Sequence, residues 1–132
     1  MPVTMEIREN GYVAYYVMAD PWVTNDLTSL YPQDIQFRDS VNHLVHTFMD
    51  VSQVRRIPPD VIRARINAPA FIHRNSGQLI MVGAKSLPKI AAETIFRIAR
   101  YERAKFFDKE EQGWEYTRQL IAKEQESVSS RR

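Results

Sequence analysis

Cysteine is absent from the 132 residues, which removes disulfides, thiolate metal sites and thiol nucleophiles at once. The lack agrees with a reducing, cytoplasmic setting. Glycine is scarce: Gly11, Gly77, Gly83 and Gly113 each stand alone, so neither a phosphate-cradling loop nor a nucleophile elbow can be built from them. Long apolar runs are missing too. The longest, Leu79 to Ala84, falls far short of the roughly 20 residues that span a bilayer. Met1 to Asn10 has no basic head followed by an apolar stretch, so no signal peptide is expected. Without internal repeats or Gly/Ser linkers, one domain is expected over residues 1–126, with 127–132 a flexible tail.

What is present is an ordinary globular composition, 44% hydrophobic and 26% charged, on a chain long enough to bury one core. The net charge of +2 is unevenly spread. Residues 1–50 carry seven acidic and two basic side chains, and residues 51–105 carry three acidic and eleven basic ones. Such segregation either steers an acidic partner to one face or lets two neighbouring parts of one fold pair their charges.

The periodicities alternate. Met5–Glu9 and Tyr12–Met18 read as a hairpin about a two-residue Asn10-Gly11 turn, both residues tolerating positive φ. Thr24 or Asn25 can cap a helix carrying Leu27, Leu30 and Tyr31, which Pro32 should kink or restart. Ile35, Arg38, Val41 and Asn42 continue a weaker helical pattern. Leu44–Val51 reads as a buried strand, Pro58-Pro59-Asp60 as a turn into a helix over Val61–Asn67 carrying Ile62 and Ile66, and Ser76-Gly77 as a turn. Gln78–Ala84 is a central strand by its continuous apolar run. Ser86 can cap a helix whose Leu87, Ile90, Ala91, Thr94, Ile95 and Ile98 should face the core, opposite a Lys85–Lys89–Glu93–Arg97 ladder. A strand over Arg103–Asp108 and a helix over Lys109–Gln125, with Trp114, Thr117, Leu120 and Ile121 inward, complete the order. Strands alternating with helices imply an α/β fold with a mostly parallel central sheet, an N-terminal hairpin and about four helices.

Over about residues 5–123 this order resembles the STAS domain of bacterial anti-sigma-factor antagonists and their STAS-like relatives. The resemblance rests on three segments. Met49–Ile62 (MDVSQVRRIPPDVI) is similar to the family's strand–loop–helix segment, with Asp50, Ser52, Val54 and Ile57 on matching positions. Leu79–Ala84 (LIMVGA) is similar to the central strand and its turn, and Ala104–Ile121 (AKFFDKEEQGWEYTRQLI) to the last strand and helix. The resemblance implies a STAS-like fold and a non-enzymatic, regulatory protein–protein interaction module. Its partner-binding surface would be the loop and helix start at Arg55, Arg56, Pro58, Pro59, Asp60 and Arg63. One departure matters. The family's phosphorylatable loop serine has no counterpart, because Pro58, Pro59, Asp60 and Val61 occupy that stretch. Asp60 then either holds a fixed negative charge there or serves the first turn of the helix.

Other constellations are thin. His43, His46 and His73 lack metal-ligand spacing, so no metal or cofactor is expected. Asp50 reads as the one partly buried acid, accepting hydrogen bonds at its loop, and Asp108, Glu110, Glu111 and Glu115 as first-turn acids of the last helix. Gly83 makes a strand-to-helix turn where Lys85 could assist an anion. The basic set Arg55, Arg56, Arg63, Arg65, Arg74, Lys89, Arg97, Arg100, Arg103 and Lys105 has no nucleic-acid reader motif with it, so an acidic protein surface is the expected complement rather than nucleic acid. A homodimer is compatible with the same features. The competing expectation is a small-ligand or lipid carrier, its apolar pocket beside the sheet lined by exposed Phe71, Phe96 and Tyr101.

Overall fold

A computed structural model describes residues 2–61 and 68–130, and the side chains up to residue 127. Beyond Val61, the helix expected up to Asn67, with Ile62 and Ile66, lies outside the described residues. The strands are β1 (Val3–Arg8), β2 (Val13–Ala19), β3 (Val45–Gln53), β4 (Ser76–Val82) and β5 (Ala104–Phe107). The helices are α1 (Thr24–Thr28), α2 (Tyr31–Asp39), α3 (Pro69–Ile72), α4 (Ser86–Ile98) and α5 (Glu110–Ser130). The expected α/β class holds. One five-stranded sheet runs in the order β1-β2-β3-β4-β5, antiparallel between β1 and β2 and parallel elsewhere. Pro32 restarts the helix as expected, standing in the first turn of α2, where its missing N–H goes unneeded.

Strand order follows chain order, so each parallel step moves one strand in the same direction. Crossovers of one hand then carry their helices to one face. The core divides accordingly. Ala14, Tyr16, Met49, Leu79 and Met81 face the crossover helices with Leu27, Ala92 and Phe96. The alternate residues Val13, Tyr15, Phe48, Ile80 and Val82 face Trp114 and Ile121 of α5, the period of two that a strand imposes. The close seat of α5 needs Gly113, where an added Cβ would fall 2.5 Å from Val82 Cγ1. On that seat the rings of Phe48 and Trp114 stack at 4.0 Å.

Several sequence expectations are corrected. The β1–β2 connection is not a two-residue turn: Arg8 pairs with Val13, and Glu9, Asn10 and Gly11 all take positive φ in a 3₁₀ turn. Ser76-Gly77 is not a turn but the start of β4. Gly77 is required there by close approach, since a Cβ would lie 2.2 Å from His46 Nδ1. The inward face of α4 is Pro88, Ala92, Ile95 and Phe96, rotated by about a third of a turn from the expected stripe at 3.6 residues per turn. Only Ile95 belongs to both. The bulky Phe96 ring sets the rotation by joining Phe71, Tyr101 and Phe106, which leaves Leu87, Ile90 and Ile98 exposed. Helix α5 runs past the expected end at Gln125, to Ser130.

Candidate functional site at the carboxyl ends of the strands

Loops at the ends of sheet strands run over the surface on a rigid scaffold, where binding residues concentrate. Here the ends of β2, β3 and β4 deliver Asp20, Ser52, Gln53, Arg55 and Lys85 to a polar cleft of about 370 Å³. The loop that follows β3 is fastened from below. Asp20 Oδ2 accepts from the Arg55 backbone N–H at 2.7 Å, the Trp22 indole N–H donates to the Arg56 carbonyl at 3.1 Å, and the Thr24 hydroxyl donates to Asp60 Oδ1 at 2.6 Å. All three anchors lie between the end of β2 and the first residue of α1, so one segment holds the whole loop.

With its backbone tied down, the loop turns its charges outward. Arg55, Arg56, Pro59 and Asp60 are exposed, and Ile57 and Pro58 are half-buried. These five of the expected binding residues, Arg55, Arg56, Pro58, Pro59 and Asp60, therefore fall on one rim, whereas Arg63 lies outside the described residues. Asp60 is an exposed carboxylate with a fixed hydrogen-bond partner. Val61 N–H bonds the Pro58 carbonyl at 3.1 Å, closing the turn that carries it.

Asp50 behaves as its position suggested: Oδ1 accepts from the Ser52 backbone N–H at 3.0 Å and the Ser52 hydroxyl at 2.7 Å. Gly83 takes φ +75° and lies against Ser52, whose Cβ would be 2.7 Å from an added Cβ. Lys85 donates to the Ser52 carbonyl, so its ammonium braces the β3 and β4 ends together.

Beneath the loop lies an apolar cavity of about 30 Å³, bordered by Met18, Trp22, Val54, Ile57, Met81 and Phe96 among others. That holds roughly two water-sized bodies. The expected aromatic lining is corrected: Phe96 and Tyr101 are buried, and Phe71 and Tyr101 pack ring against ring at 4.7 Å away from the cavity. Only Phe96 borders it, because the cluster fills the space such a pocket would need.

Asp50 is not the most buried acid. Asp34 is 1% exposed and Arg38 0%, and they form a buried ion pair at 2.6 Å. Arg38 also donates to the Val45 carbonyl, Ser76 Oγ and Thr47 Oγ1 at 3.1, 2.9 and 2.8 Å. Tyr16 donates to Asp34 Oδ2 at 2.5 Å, and burial, then the Asp34 charge, raise the Tyr16 phenol well above its ordinary range. Burial is also the main cause raising Tyr15 and Tyr101. The sequence did carry one signal for this network, a charged Arg38 at an apolar position four residues after Asp34.

The histidines lie apart. His43 stacks on Tyr12 at 4.1 Å, and His73 contacts Asp39 at 2.7 Å. Buried His46 accepts the Gln78 backbone N–H at Nδ1 and meets Glu124 at Nε2, which assigns the Nε2–H tautomer to a neutral ring. Among the described residues no three metal-type side chains converge. Nor do the oppositely charged segments pair broadly. Among the described residues, no lysine or arginine of 51–105 forms an ion pair with an acid of 1–50. Arg55, Arg56, Arg74, Lys89, Arg97, Arg100, Arg103 and Lys105 all present exposed side chains, so the basic field faces solvent.

Set against family models, curated proteins and solved structures, the chain matches none of them.

Proposed function

We propose that the protein is a non-enzymatic, STAS-type interaction module that grips an acidic protein partner with the Arg55–Asp60 rim. One observation carries the reading: two hydrogen bonds, from Asp20 and Trp22, fix the loop backbone and a third, from Thr24, holds the Asp60 carboxylate, while Arg55, Arg56, Pro59 and Asp60 stay exposed. A pre-organised loop loses little conformational entropy on binding, which favours recognition of a specific surface. The neighbouring cleft presents Arg55 and Lys85 to acidic groups, and exposed charge of one sign speeds encounter with a complementary partner. With prolines at the family's phosphosite, regulation by loop phosphorylation is replaced by partner abundance or self-association.

The test is affinity capture with wild-type protein beside the Arg55→Glu/Asp60→Arg variant, which conserves net charge. A partner held by the first and released by the second is expected. Equal retention on both would move the binding surface off this rim. A second reading, carriage of a small apolar ligand, would use the cavity beneath the loop, which at about 30 Å³ has to widen to admit one. Native mass spectrometry of gently purified protein would then show a constant added mass, and a clean apo mass would remove this reading.

A further inference from the structure

We propose that β1 is a self-association edge, through which a second copy of this chain continues the sheet about a twofold axis at Met5. The observation is an outer row of backbone groups left unpaired on a regular strand. β1 closes one side of the sheet, and its six residues pair with β2 in an unbroken register. The Ala19 N–H donates to the Pro2 carbonyl at 2.8 Å, which fixes the phase of that antiparallel ladder. Every second residue from Pro2, namely Thr4, Glu6 and Arg8, turns its N–H and C=O to β2. Those of Val3, Met5 and Ile7 point outward, and among the described residues nothing bonds to them. The N–H that Pro2 lacks would lie on the β2 side, so the outer row is complete.

The two edges of the sheet differ, and the difference names the occupant. Edge strands are ordinarily blunted by shortness, lysine, proline or a bulge. β5 follows that rule. It has four residues, and the Arg103 and Phe107 carbonyls bond inward to Leu79 and Gly83, so only Ala104 and Phe106 point outward. Pairing those two with a copy sets exposed Lys105 against its own equivalent, like against like. β1 is longer, unbulged and without lysine, and it is self-complementary. With Met5 opposite Met5 of the copy, Val3 stands opposite Ile7, and each pair exchanges both bonds, about six in all. The side chains agree with that register. Val3, Met5 and Ile7 pack in one apolar cluster that the copy extends across the axis. On the other face exposed Thr4 meets exposed Glu6 of the copy, hydroxyl to carboxylate, and Glu6 keeps its own Arg8 at 2.6 Å. Sliding the copy two residues toward the turn sets Glu6 against Glu6 and takes Val3 off the ladder. The twofold reverses strand direction, so the two Arg55–Asp60 rims lie at opposite ends of the joined sheet, each open to its own partner. The pairing itself uses β1 alone and is independent of that rim.

The experiment is sedimentation velocity over a micromolar concentration series, joined to amide hydrogen exchange. A reversible dimer is expected. Protection should rise with concentration at the Val3, Met5 and Ile7 amides, while those of Thr4, Glu6 and Arg8, already bonded to β2, stay as they are. Met5→Pro removes a donor from the outer row only, a place where an edge strand tolerates proline. Because Met5 lies on the axis, both copies lose that bond, and dimer affinity is expected to fall by about tenfold or more. Thr4 is exposed, so its variants spare the fold. Thr4→Glu, set against Glu6 of the copy, is expected to weaken the dimer and Thr4→Lys to strengthen it, each by about threefold or more. Lys105→Glu, on the other edge, should leave the dimer unchanged. A chain that stays monomeric throughout the series would overturn the proposal. So would a dimer to which Thr4→Glu and Thr4→Lys make no difference, or protection that rises on β5 or α4 instead of β1.

Discussion

The two ends of the parallel sheet are built on opposite plans. At the amino ends of β3 and β4, polar groups are matched inside the protein: Arg38 satisfies Asp34, the Val45 carbonyl, Thr47 and Ser76, and the Asn75 amide closes on the Arg38 and Val41 carbonyls. At the carboxyl ends, backbone groups are matched but the charged side chains of Arg55, Arg56 and Asp60 face water. A buried charge is tolerable only when every one of its donors is used, so the amino end tolerates little substitution. At the carboxyl end the loop is tied through the backbone of Arg55 and Arg56, so those two side chains can vary without loosening it. Buried polar pairing is concentrated at one end and exposed charge at the other.

The sharpest way to break this comparison is Arg38→Met. Removing one partner of a buried pair strands the other, and a loss of about 3–5 kcal/mol in urea unfolding is expected. A variant within about 0.5 kcal/mol of wild type would show that the network is not what holds this end. Gly77→Ala forces a Cβ into the His46 ring, and overpacking of this kind is expected to cost about 1–3 kcal/mol. The double variant His46→Ala/Gly77→Ala should lose less than the two single changes added together, as measured by a double-mutant cycle.

A pH titration sharpens the same contrast. The phenols of Tyr16, Tyr15 and Tyr101 are raised in the folded protein, while the unfolded chain releases these protons near the ordinary value of about 10. Their contribution is therefore complete below about pH 10 and declines as pH rises beyond it. Stability should fall above that point, with a shallower slope in Tyr16→Phe. An unchanged slope would mean that Tyr16 ionises in place. The smallest effect is expected at the loop. Thr24→Val removes one hydrogen bond to Asp60 at about 0.5–1.5 kcal/mol, and Arg55→Glu should change the melting free energy by no more than about 0.5 kcal/mol. A large loss from Arg55→Glu would make the rim structural and dissolve the division between the two ends.

How far the sequence could be read follows the same division. The hairpin, the apolar run of β4 and the inward residues Trp114, Thr117 and Ile121 of α5 were legible because each repeats with a period that matches one kind of backbone. The Arg55–Asp60 turn was legible from its prolines, although the segment that ties it down, Asp20 to Thr24, gave no sign of doing so: hydrogen bonds over some 35 residues leave no local pattern. The burial of Arg38 is not legible, because a buried guanidinium looks, one residue at a time, like a surface charge. The core face of α4 is not legible, because apolar residues cover two adjacent arcs of the helix. Periodicity cannot choose between such arcs, whereas the Phe71, Phe96 and Tyr101 rings can.

The single-direction strand order has a consequence for synthesis. Each crossover helix is made between the two strands it bridges, so that face of the sheet is covered as it grows. The other face, with Phe48, Ile80 and Val82, waits for α5, which follows every strand in the chain. Until Trp114 is stacked on Phe48, a fully formed sheet shows one greasy side to its surroundings, the condition in which nascent chains aggregate or recruit a chaperone. During synthesis this domain is thus most vulnerable just before α5 is made, on the face that α5 covers once it folds.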